Sequence, residues 1–340
     1  MSISANLDLL PRIPLAHTPT PIERLNNLSG VLGGGALYVK RDDCTGLAMG
    51  GNKARQLEYY FGEALQQHAD TILITGAVQS NFVRMAAAAA AKLGLDCHIQ
   101  LEERVGDTGA AYRQSGNVLL DRLLGATLHT YPEGEDENGA DANLNRIADR
   151  LRAAGRQPYI IPLAPGHPPL GALGYVRAAS ELLGQMESLE DEISHIFVAS
   201  GSGSTHAGLL FGLRSHNWLK PVIGVCVRRD RTSQQQRIKQ RCEEIAALLK
   251  LENPVKPEDI EITDETFQPG YGKLNEQTLE AINLCAQREG LLLDPVYTGK
   301  SMAACLNHIR ASCEDQSTLF VHTGGTPGLF GYGKELNLAD

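Results

Sequence analysis

Short apolar runs of strand length alternate with helical patterns along most of the chain, and this alternation constrains the fold more than any other feature. Parallel strands need long crossover connections, usually helices, so the alternation predicts an α/β protein with mainly parallel sheets and helices on both faces. The 340 residues exceed what one hydrophobic core usually serves, and the proline-rich stretch 162–169 suits a crossing between two doubly wound lobes. The predicted strands cover residues 36–40, 71–75, 97–101, 127–131, 159–161, 193–199, 222–227, 291–296 and 318–322.

Three other segments carry specific structural expectations. A single helix is predicted at 110–124, and the acidic segment 133–139 is expected to be a solvated loop. A further helix is predicted at 233–251, where Arg237, Lys239 and Arg241 indicate a solvated face.

Composition and charge exclude several classes of function. The net charge is -9 and the chain has one tryptophan and no basic stripe, which argues against nucleic acid as a partner. No apolar run approaches the roughly 20 residues that span a bilayer, and residues 1–6 lack the pattern of a signal peptide, so we expect a cytoplasmic protein without a membrane partner. The seven cysteines are scattered and form no C-x-x-C pair, so we expect reduced thiols and no metal site.

The stretch Met49–Arg55 holds a candidate nucleophile. Gly50 and Gly51 allow a tight turn, Asn52 can cap a helix, and Lys53 opens that helix at a strand-to-helix junction. The alternative interpretation is an ordinary solvated lysine in the first turn of a helix.

The loop at 201–208 is a candidate phosphate cradle. It directly follows a predicted strand, opens a helix and consists mainly of small and hydroxyl-bearing residues. It lacks both the lysine of a nucleoside-triphosphate loop and the G-x-G-x-x-G spacing, so a single phosphate monoester fits it better than a pyrophosphate. The alternative is a connector that binds no ligand.

Three more loops follow predicted strands, at the edge where open α/β sheets collect their ligands. In the first loop, Ser80 or Asn81 can cap a helix whose N–H groups face an anion such as a substrate carboxylate, with plain capping as the alternative. The other two loops are 294–300 and 322–325. A desolvated lysine, a phosphate cradle and hydroxyl-rich loops together predict pyridoxal phosphate held by Lys53 as a Schiff base.

Six ordered motifs carry a resemblance to a known family. They are G-G-N-K-A-R-Q-L-E at 50–58, G-A-V-Q-S-N-F-V-R at 76–84, A-S-G-S-G-S-T-H-A-G at 199–208, P-G-Y-G at 269–272, D-P-V-Y-T-G-K at 294–300 and H-T-G-G at 322–325. These motifs resemble the D-cysteine desulfhydrase and 1-aminocyclopropane-1-carboxylate deaminase family. The resemblance spans almost the whole chain and implies fold type II, the tryptophan-synthase-β-like architecture. It further implies a large cofactor-binding domain at 1–53 plus 166–340, a smaller α/β domain at 54–165, and a homodimer.

The resemblance also implies roles for individual residues. Lys53 would carry the cofactor and remove the Cα proton, and Asn81 would lie beside the phenolic oxygen of the cofactor and near the substrate. Thr323, with Thr298 as its rival, would meet the pyridine nitrogen. The substrate carboxylate would bind Gln79 and Ser80, the reacting carbon and leaving group would face Tyr271 and Tyr297, and the cofactor phosphate would bind Gly201, Ser202, Gly203, Ser204 and Thr205. The expected catalytic residues are Lys53, Ser80, Tyr271 and Tyr297.

The chemistry implied by the resemblance is β-elimination from a small amino acid, with D-cysteine giving pyruvate, hydrogen sulfide and ammonia. The corresponding motif of the cyclopropane deaminases resembles D-P-V-Y-E-G-K, with a glutamate at the position of Thr298. The threonine in this chain therefore favours the desulfhydrase activity. L-cysteate sulfo-lyase, 1-aminocyclopropane-1-carboxylate deaminase and a non-catalytic protein are the alternatives. Two departures from the pattern bear on the substrate: Phe82 replaces a histidine common in these lyases, and Gln56 replaces the usual lysine.

Overall fold

Two sheets organise the computed structural model, which describes residues 3–33, 35–106, 108–134, 136–163, 166–312 and 316–336. The strands are β1 (Ile22–Arg24), β2 (Leu37–Lys40), β3 (Thr71–Ala77), β4 (Asp96–Glu102), β5 (Thr127–Tyr131), β6 (Pro158–Ile161), β7 (Ile193–Ser200), β8 (Val222–Cys226), β9 (Glu261–Thr263) and β10 (Ser317–Val321). The α-helices are α1 (Ile3–Asp8), α2 (Asn26–Leu32), α3 (Lys53–Gln66), α4 (Asn81–Leu93), α5 (Ala110–Gln114), α6 (Gly116–Leu123), α7 (Glu137–Ala153), α8 (Leu170–Met186), α9 (Ser204–Ser215), α10 (Arg231–Leu249), α11 (Glu276–Glu289) and α12 (Thr298–Ala311).

The strand order confirms the predicted α/β fold with mainly parallel sheets. The larger sheet has the order β1-β2-β10-β7-β8-β9 and the smaller sheet the order β5-β4-β3-β6. Neighbouring strands are parallel except for the antiparallel pair β1 and β2. Because parallel strands are covered on both faces, β2, β3 and β10 are buried along their whole length.

Helix α3 connects the two halves of the molecule. It packs against α8 on one side and α4 on the other, and its residues 54–62 are all buried. All strands of the smaller sheet lie between residues 71 and 161, inside the smaller domain predicted at 54–165. The division of the chain into two domains stays a prediction. Ala164 and Pro165, in the predicted crossing, lie outside the described residues. Within the described ranges, no helix combines the length and the apolar character needed to span a membrane.

Three expectations about local structure were wrong, and two strands were not predicted. Residues 291–296 form no strand, and the helix predicted at 110–124 is broken between α5 and α6, where Gly116 has a φ of +58°. The acidic segment is not simply a solvated loop, because Glu137 begins α7 and its carboxylate binds arginines. The three-residue strands β1 and β9 had no sequence signal, since pairing with a neighbour defines them.

Candidate active site

A cavity between the two sheets brings together most of the predicted site residues. Its wall from the smaller half comes from 76–77, 80–82, 104 and 162–163, and its opposite wall includes 199, 201–205, 271, 297 and 323–324. The predicted residues that line it are Lys53, Ser80, Asn81, Gly201, Ser202, Gly203, Ser204, Thr205, Tyr271, Tyr297 and Thr323.

A tight glycine turn positions Lys53 at the first residue of α3, as predicted. Gly50 has a φ of +70°, and a Cβ atom at this position would lie 1.8 Å from the carbonyl oxygen of Asp43. The backbone N–H of Asn52 donates to the carbonyl oxygen of Thr323 at 3.0 Å, which links the turn to the loop after β10. The prediction that Asn52 caps α3 was wrong: its side chain makes no capping bond and donates instead to the Thr205 hydroxyl at 2.8 Å.

The Lys53 side chain is half-buried and lines the cavity, and this supports the interpretation as a nucleophile over that of a solvated lysine. The side chain lines the cavity, and Nζ lies 5.4 Å from the ring centroid of Phe82. Burial lowers the pKa of Lys53 to about 8, because a low-dielectric surrounding disfavours the charged form. Phe82, which replaces the more common histidine, therefore forms an apolar wall beside the amine.

Gln56 connects Lys53 to the glycine-rich loop. Its Oε1 accepts a hydrogen bond from Lys53 Nζ at 3.3 Å, and its Nε2 donates to the Thr205 hydroxyl at 2.7 Å. An uncharged amide, in place of the ammonium group of the usual lysine, therefore contacts the amine of Lys53. The departure from the usual lysine is thus a contact within the site, which local sequence reasoning did not reveal.

The loop 201–205 has the geometry of an anion cradle. Gly203 has a φ of +94°, in the left-handed region, and α9 begins at Ser204 with no side chain capping its first N–H groups. These N–H groups and the positive end of the helix dipole favour an anion at this position. A Cβ atom on Gly203 would lie 3.7 Å from Cγ of Arg241, so a cationic side chain runs beside the cradle. The donors present fit a phosphate monoester.

The predicted carboxylate-binding turn is only partly in the cavity. Ser80 caps α4 by accepting hydrogen bonds from the N–H groups of Phe82 at 3.2 Å and Val83 at 3.5 Å. Asn81 lines the cavity and its Oδ1 accepts from Asn117 Nδ2 at 3.0 Å.

The side chain of Gln79 points elsewhere, which differs from the prediction that it contacts the substrate. Its Nε2 donates to the carbonyl oxygens of Tyr112 at 2.5 Å and Ser115 at 2.9 Å, and its Oε1 accepts from the N–H of Asn117 at 2.9 Å. The amide is therefore used to hold the break between α5 and α6 against the turn before α4.

Tyr271 and Tyr297 form a hydroxyl pair at one end of the cavity. Their oxygen atoms lie 2.8 Å apart, and burial together with Tyr271 raises the pKa of Tyr297 well above its ordinary value. Lys300 anchors the turn that carries Tyr271, because its Nζ donates to the carbonyl oxygens of Phe267 at 2.6 Å and Gly270 at 2.7 Å. The two hydroxyls are therefore held together at this end of the cavity, where either can donate a hydrogen bond to the other.

The structure separates the two threonines proposed for the pyridine nitrogen. Thr323 lines the cavity, whereas the hydroxyl of Thr298 donates to Asp294 Oδ1 at 2.7 Å and accepts from the N–H of Asp294 at 2.7 Å. The Thr298 side chain is fully buried in this loop and is not part of the cavity lining. This placement favours Thr323 for the contact.

The cavity is also lined by three arginines that sequence analysis did not assign to the site: Arg104, Arg228 and Arg241. With Lys53 they make four basic side chains, and the described lining contains no carboxylate. The interpretation of 233–251 as carrying only a solvated basic face was wrong for Arg241, which shares the buried face of α10 with Ile238 and Ile245. The helical spacing of Ile238, Arg241 and Ile245 could have predicted that Arg241 lies on the buried face. For Arg104 and Arg228 the sequence offers no comparable local pattern.

The chain is similar to known proteins along most of its length. The family model described as "Pyridoxal-phosphate dependent enzyme" matches residues 13–324. The D-cysteine desulfhydrases of Salmonella paratyphi B and Salmonella typhi are each 44% identical over 329 residues, which cover 96% of this chain and 98% of each relative.

Solved structures have the same fold. An ACC deaminase homologue superposes with a TM-score of 0.87 at 38% identity, covering 98% of both chains. O-ureido-L-serine synthase superposes with a TM-score of 0.67 at 18% identity, covering 98% of this chain and 94% of its own, and this likeness concerns the fold alone.

The chain belongs to the pyridoxal-phosphate-dependent enzymes. Its cofactor is pyridoxal phosphate, and the resemblance to the desulfhydrase and deaminase family is confirmed. The loop 201–205, Lys53 and Thr323 fit this cofactor because they provide an anion cradle, an amine and a neutral hydroxyl along one cavity.

Proposed function

We propose that the protein is a carbon-sulfur lyase that catalyses β-elimination from a small β-substituted amino acid, with D-cysteine as the substrate. The observation that carries this proposal is the desolvated Lys53 amine in a cavity that also contains the phosphate cradle and the tyrosine pair. The D-cysteine desulfhydrases that are 44% identical support the choice of substrate.

Each group of residues has a distinct task in this reaction. The loop 201–205 holds the phosphate, and the N-terminus of α4 at Asn81, with its capping Ser80, holds the substrate carboxylate. Bound pyridoxal phosphate supplies the electron sink for the pair left at the substrate Cα. Lys53, in its neutral form, takes the Cα proton, and the paired hydroxyls of Tyr271 and Tyr297 deliver a proton to the departing sulfur.

Phe82 gives the cavity an apolar wall beside the Lys53 amine. In the complete reaction, the carbon-sulfur bond of the substrate breaks and its electron pair leaves with the sulfur. One D-cysteine and one water then give one pyruvate, one ammonia and one hydrogen sulfide.

A substrate panel on the purified, cofactor-loaded protein tests the proposal. We expect pyruvate and sulfide from D-cysteine and pyruvate from 3-chloro-D-alanine, both lost in Lys53→Ala. Release of 2-oxobutyrate from 1-aminocyclopropane-1-carboxylate would instead support the deaminase alternative, which the 38% identical ACC deaminase homologue motivates. A coloured protein that yields no oxoacid from any of these substrates would contradict the proposal.

We further infer a homodimer that works in the cytoplasm. Leu119 and Leu123 on α6 and the neighbouring Phe330 are large apolar side chains that are exposed in the isolated chain, and a partner subunit would cover them. The six described cysteines are free thiols, as expected in a reducing compartment. Light scattering of the purified protein tests the oligomeric state, and a monomer at micromolar concentration would contradict it.

A further inference from the structure

Arg104 places a cationic side chain at the end of the cavity where the tyrosine pair lies. It follows β4 and lines the cavity, and its side chain is only 5% exposed. The next residue, Val105, packs tightly against the turn of Tyr271, since a Cβ atom on Gly272 would lie 2.6 Å from Val105 Cγ2. The guanidinium charge of Arg104 also lies close enough to Tyr297 to lower the pKa of that hydroxyl, against the larger opposite effect of burial. Arg104 therefore belongs to the part of the cavity that receives the substituent on the substrate β-carbon.

A buried carboxylate fixes the orientation of the Arg104 guanidinium group. Its Nε and Nη2 donate to Glu102 Oε2 at 2.8 and 2.6 Å, and Glu102 Oε1 accepts from the Thr75 hydroxyl at 2.6 Å. No described residue accepts a hydrogen bond from Nη1 of Arg104. A guanidinium group that is held on one edge and open on another is a preorganised donor for an anion.

The other basic residues in the lining have different neighbours. Lys53 is the amine at the start of α3, and Arg241 runs beside the phosphate cradle at Gly203. Arg228 binds Glu137 at 2.8 Å and follows β8, next to the start of the cradle. In the proposed reaction, the substrate carboxylate binds at the N-terminus of α4. Arg104 is therefore the basic residue of the lining that remains for a further negative group, and it lies beside Tyr271 and Tyr297.

We propose that Arg104 is a specificity-determining residue that binds an anionic substituent on the substrate β-carbon, so that the enzyme also accepts a β-sulfonate in addition to the sulfur group of D-cysteine. A sulfonate keeps its charge at every working pH and offers three acceptor oxygens, whereas an unperturbed thiol is mostly neutral at pH 7. The proposal rests on the β-elimination proposed above. With cysteate the carbon-sulfur bond breaks, the electron pair leaves with sulfur, and Lys53 takes the Cα proton. One cysteate anion and one water then give one pyruvate anion, one ammonium ion and one hydrogensulfite ion.

The test compares an anionic and a neutral substituent in the holoenzyme and in Arg104→Gln. The substrates are both enantiomers of cysteate and of 3-chloroalanine, with pyruvate and sulfite as products and calorimetric titration for binding. Loss of a charge-assisted hydrogen bond should raise KM and Kd for cysteate by roughly 10-fold to 100-fold. KM for 3-chloroalanine should stay within about 3-fold, because that substituent carries no charge for Arg104 to bind.

Two further variants separate recognition from structure. Arg104→Lys keeps the charge and should recover part of the cysteate binding that Arg104→Gln loses. Arg113→Gln is the matched control, because Arg113 lies outside the cavity lining, on α5, and pairs with Glu103. Arg113→Gln should leave KM unchanged for both cysteate and 3-chloroalanine.

The outcomes distinguish the two proposals. Equal losses for cysteate and 3-chloroalanine in Arg104→Gln would contradict the specificity role, as would a wild-type holoenzyme that turns over 3-chloroalanine but neither turns over nor binds cysteate. A coloured holoenzyme that turns over neither compound would contradict the proposed elimination. Cysteate binding measured on that same protein would still test Arg104 through the difference between wild type and Arg104→Gln.

Discussion

The reactivity of Lys53 follows from the contacts of a single side chain. Its Nζ meets an uncharged amide oxygen from Gln56 and the face of Phe82, and no described carboxylate lines the cavity to stabilise the ammonium form. An exposed lysine has a pKa near 10.4 and is almost wholly protonated at neutral pH. Burial lowers the pKa of Lys53 to about 8, so an appreciable fraction of the amine is free to react.

This lowered pKa predicts the pH dependence of cofactor uptake. As pH rises through about 8, Lys53 loses its proton, so the rate at which cofactor-free protein takes up pyridoxal phosphate should rise and then level off. Stopped-flow absorbance over a pH series measures this rate, with Lys53→Ala as the control that removes the pH-dependent phase. A rate that keeps rising to about pH 10, as for an exposed lysine, would contradict the desolvation argument.

Sequence analysis identified the site residues whose function depends on the local backbone. The Gly50 turn, the Ser80 cap and the 201–205 loop each place a reactive group at the start of a helix, and such geometry is encoded by adjacent residues. Gln56 was identified only as a departure from the family pattern that bears on the substrate, and Arg104 was not identified. Their contacts depend on Thr205 and on Glu102 with the tyrosine turn. These contacts form only when distant segments meet.

At the scale of elements, a buried ionic cluster fixes the first turn of α3. Arg55 donates to both oxygens of Asp42 at 3.0 Å and to Glu181 at 2.8 and 2.9 Å. Lys40 donates to Glu181 at 2.6 Å from β2. Helices α3 and α8 and the loop after β2 are thereby joined directly beside Lys53.

Removal of Arg55 should therefore destabilise the whole protein. Arg55→Met leaves the buried carboxylate of Asp42 and the partly buried carboxylate of Glu181 without their main partner, and we expect a loss of about 3–5 kcal/mol in the free energy of unfolding. Urea denaturation measures this loss. Arg152→Ala is the matched control, because Arg152 forms an exposed ion pair with Asp149 on α7 and should change stability little. A change in Arg55→Met no larger than that of the control would contradict the structural role of the cluster.

The same cluster makes stability sensitive to acid. Burial alone would raise the pKa of Asp42, but the charge and hydrogen bonds of Arg55 outweigh it and lower the pKa overall. A carboxyl group whose pKa is lower in the folded state stabilises that state at pH values above its unfolded pKa of about 3.9, and this contribution is lost as pH falls through the folded value. Arg55→Met should therefore lose less stability than wild type on acidification below about pH 4.

The elements that sequence analysis predicted well are those with their own core-facing pattern. Strand β3 is a continuous run of buried residues, and its predicted range 71–75 lies within the observed Thr71–Ala77. Strands β1 and β9 are three residues long and depend on pairing with β2 and β8. The break between α5 and α6 depends on the Gln79 amide, which a helical periodicity does not show.

At the scale of the whole molecule, ion pairs join the two halves of the protein near the cavity. Helix α7 packs against the smaller sheet. Its first residue, Glu137, forms ion pairs with Arg228 at 2.8 Å, Arg229 at 2.7 Å and Arg237 at 3.2 Å. These arginines lie after β8 and on α10, on the opposite side of the cavity. One carboxylate thus holds three cations that would otherwise repel one another.

Loss of this carboxylate should loosen the closure of the cavity. In Glu137→Gln we expect faster amide hydrogen exchange at the start of α7 and faster loss of cofactor on dialysis, because the three arginines lose their shared partner. Glu133→Gln, in an exposed position shortly before α7, is the control. Identical exchange in the two variants would show that the ion pairs do not hold the halves together.

The central claim is that Lys53, at the start of α3 and opposite the 201–205 loop, is the lysine that carries the cofactor. Borohydride reduction of the coloured protein, followed by peptide mapping by mass spectrometry, tests it most directly. Lys300 is the informative rival, because burial also lowers its pKa to about 8. The account predicts the pyridoxyl group on the peptide that contains Lys53, and none on the peptide that contains Lys300. A pyridoxyl group on Lys300, or on a surface lysine with Lys53 unmodified, would contradict the account.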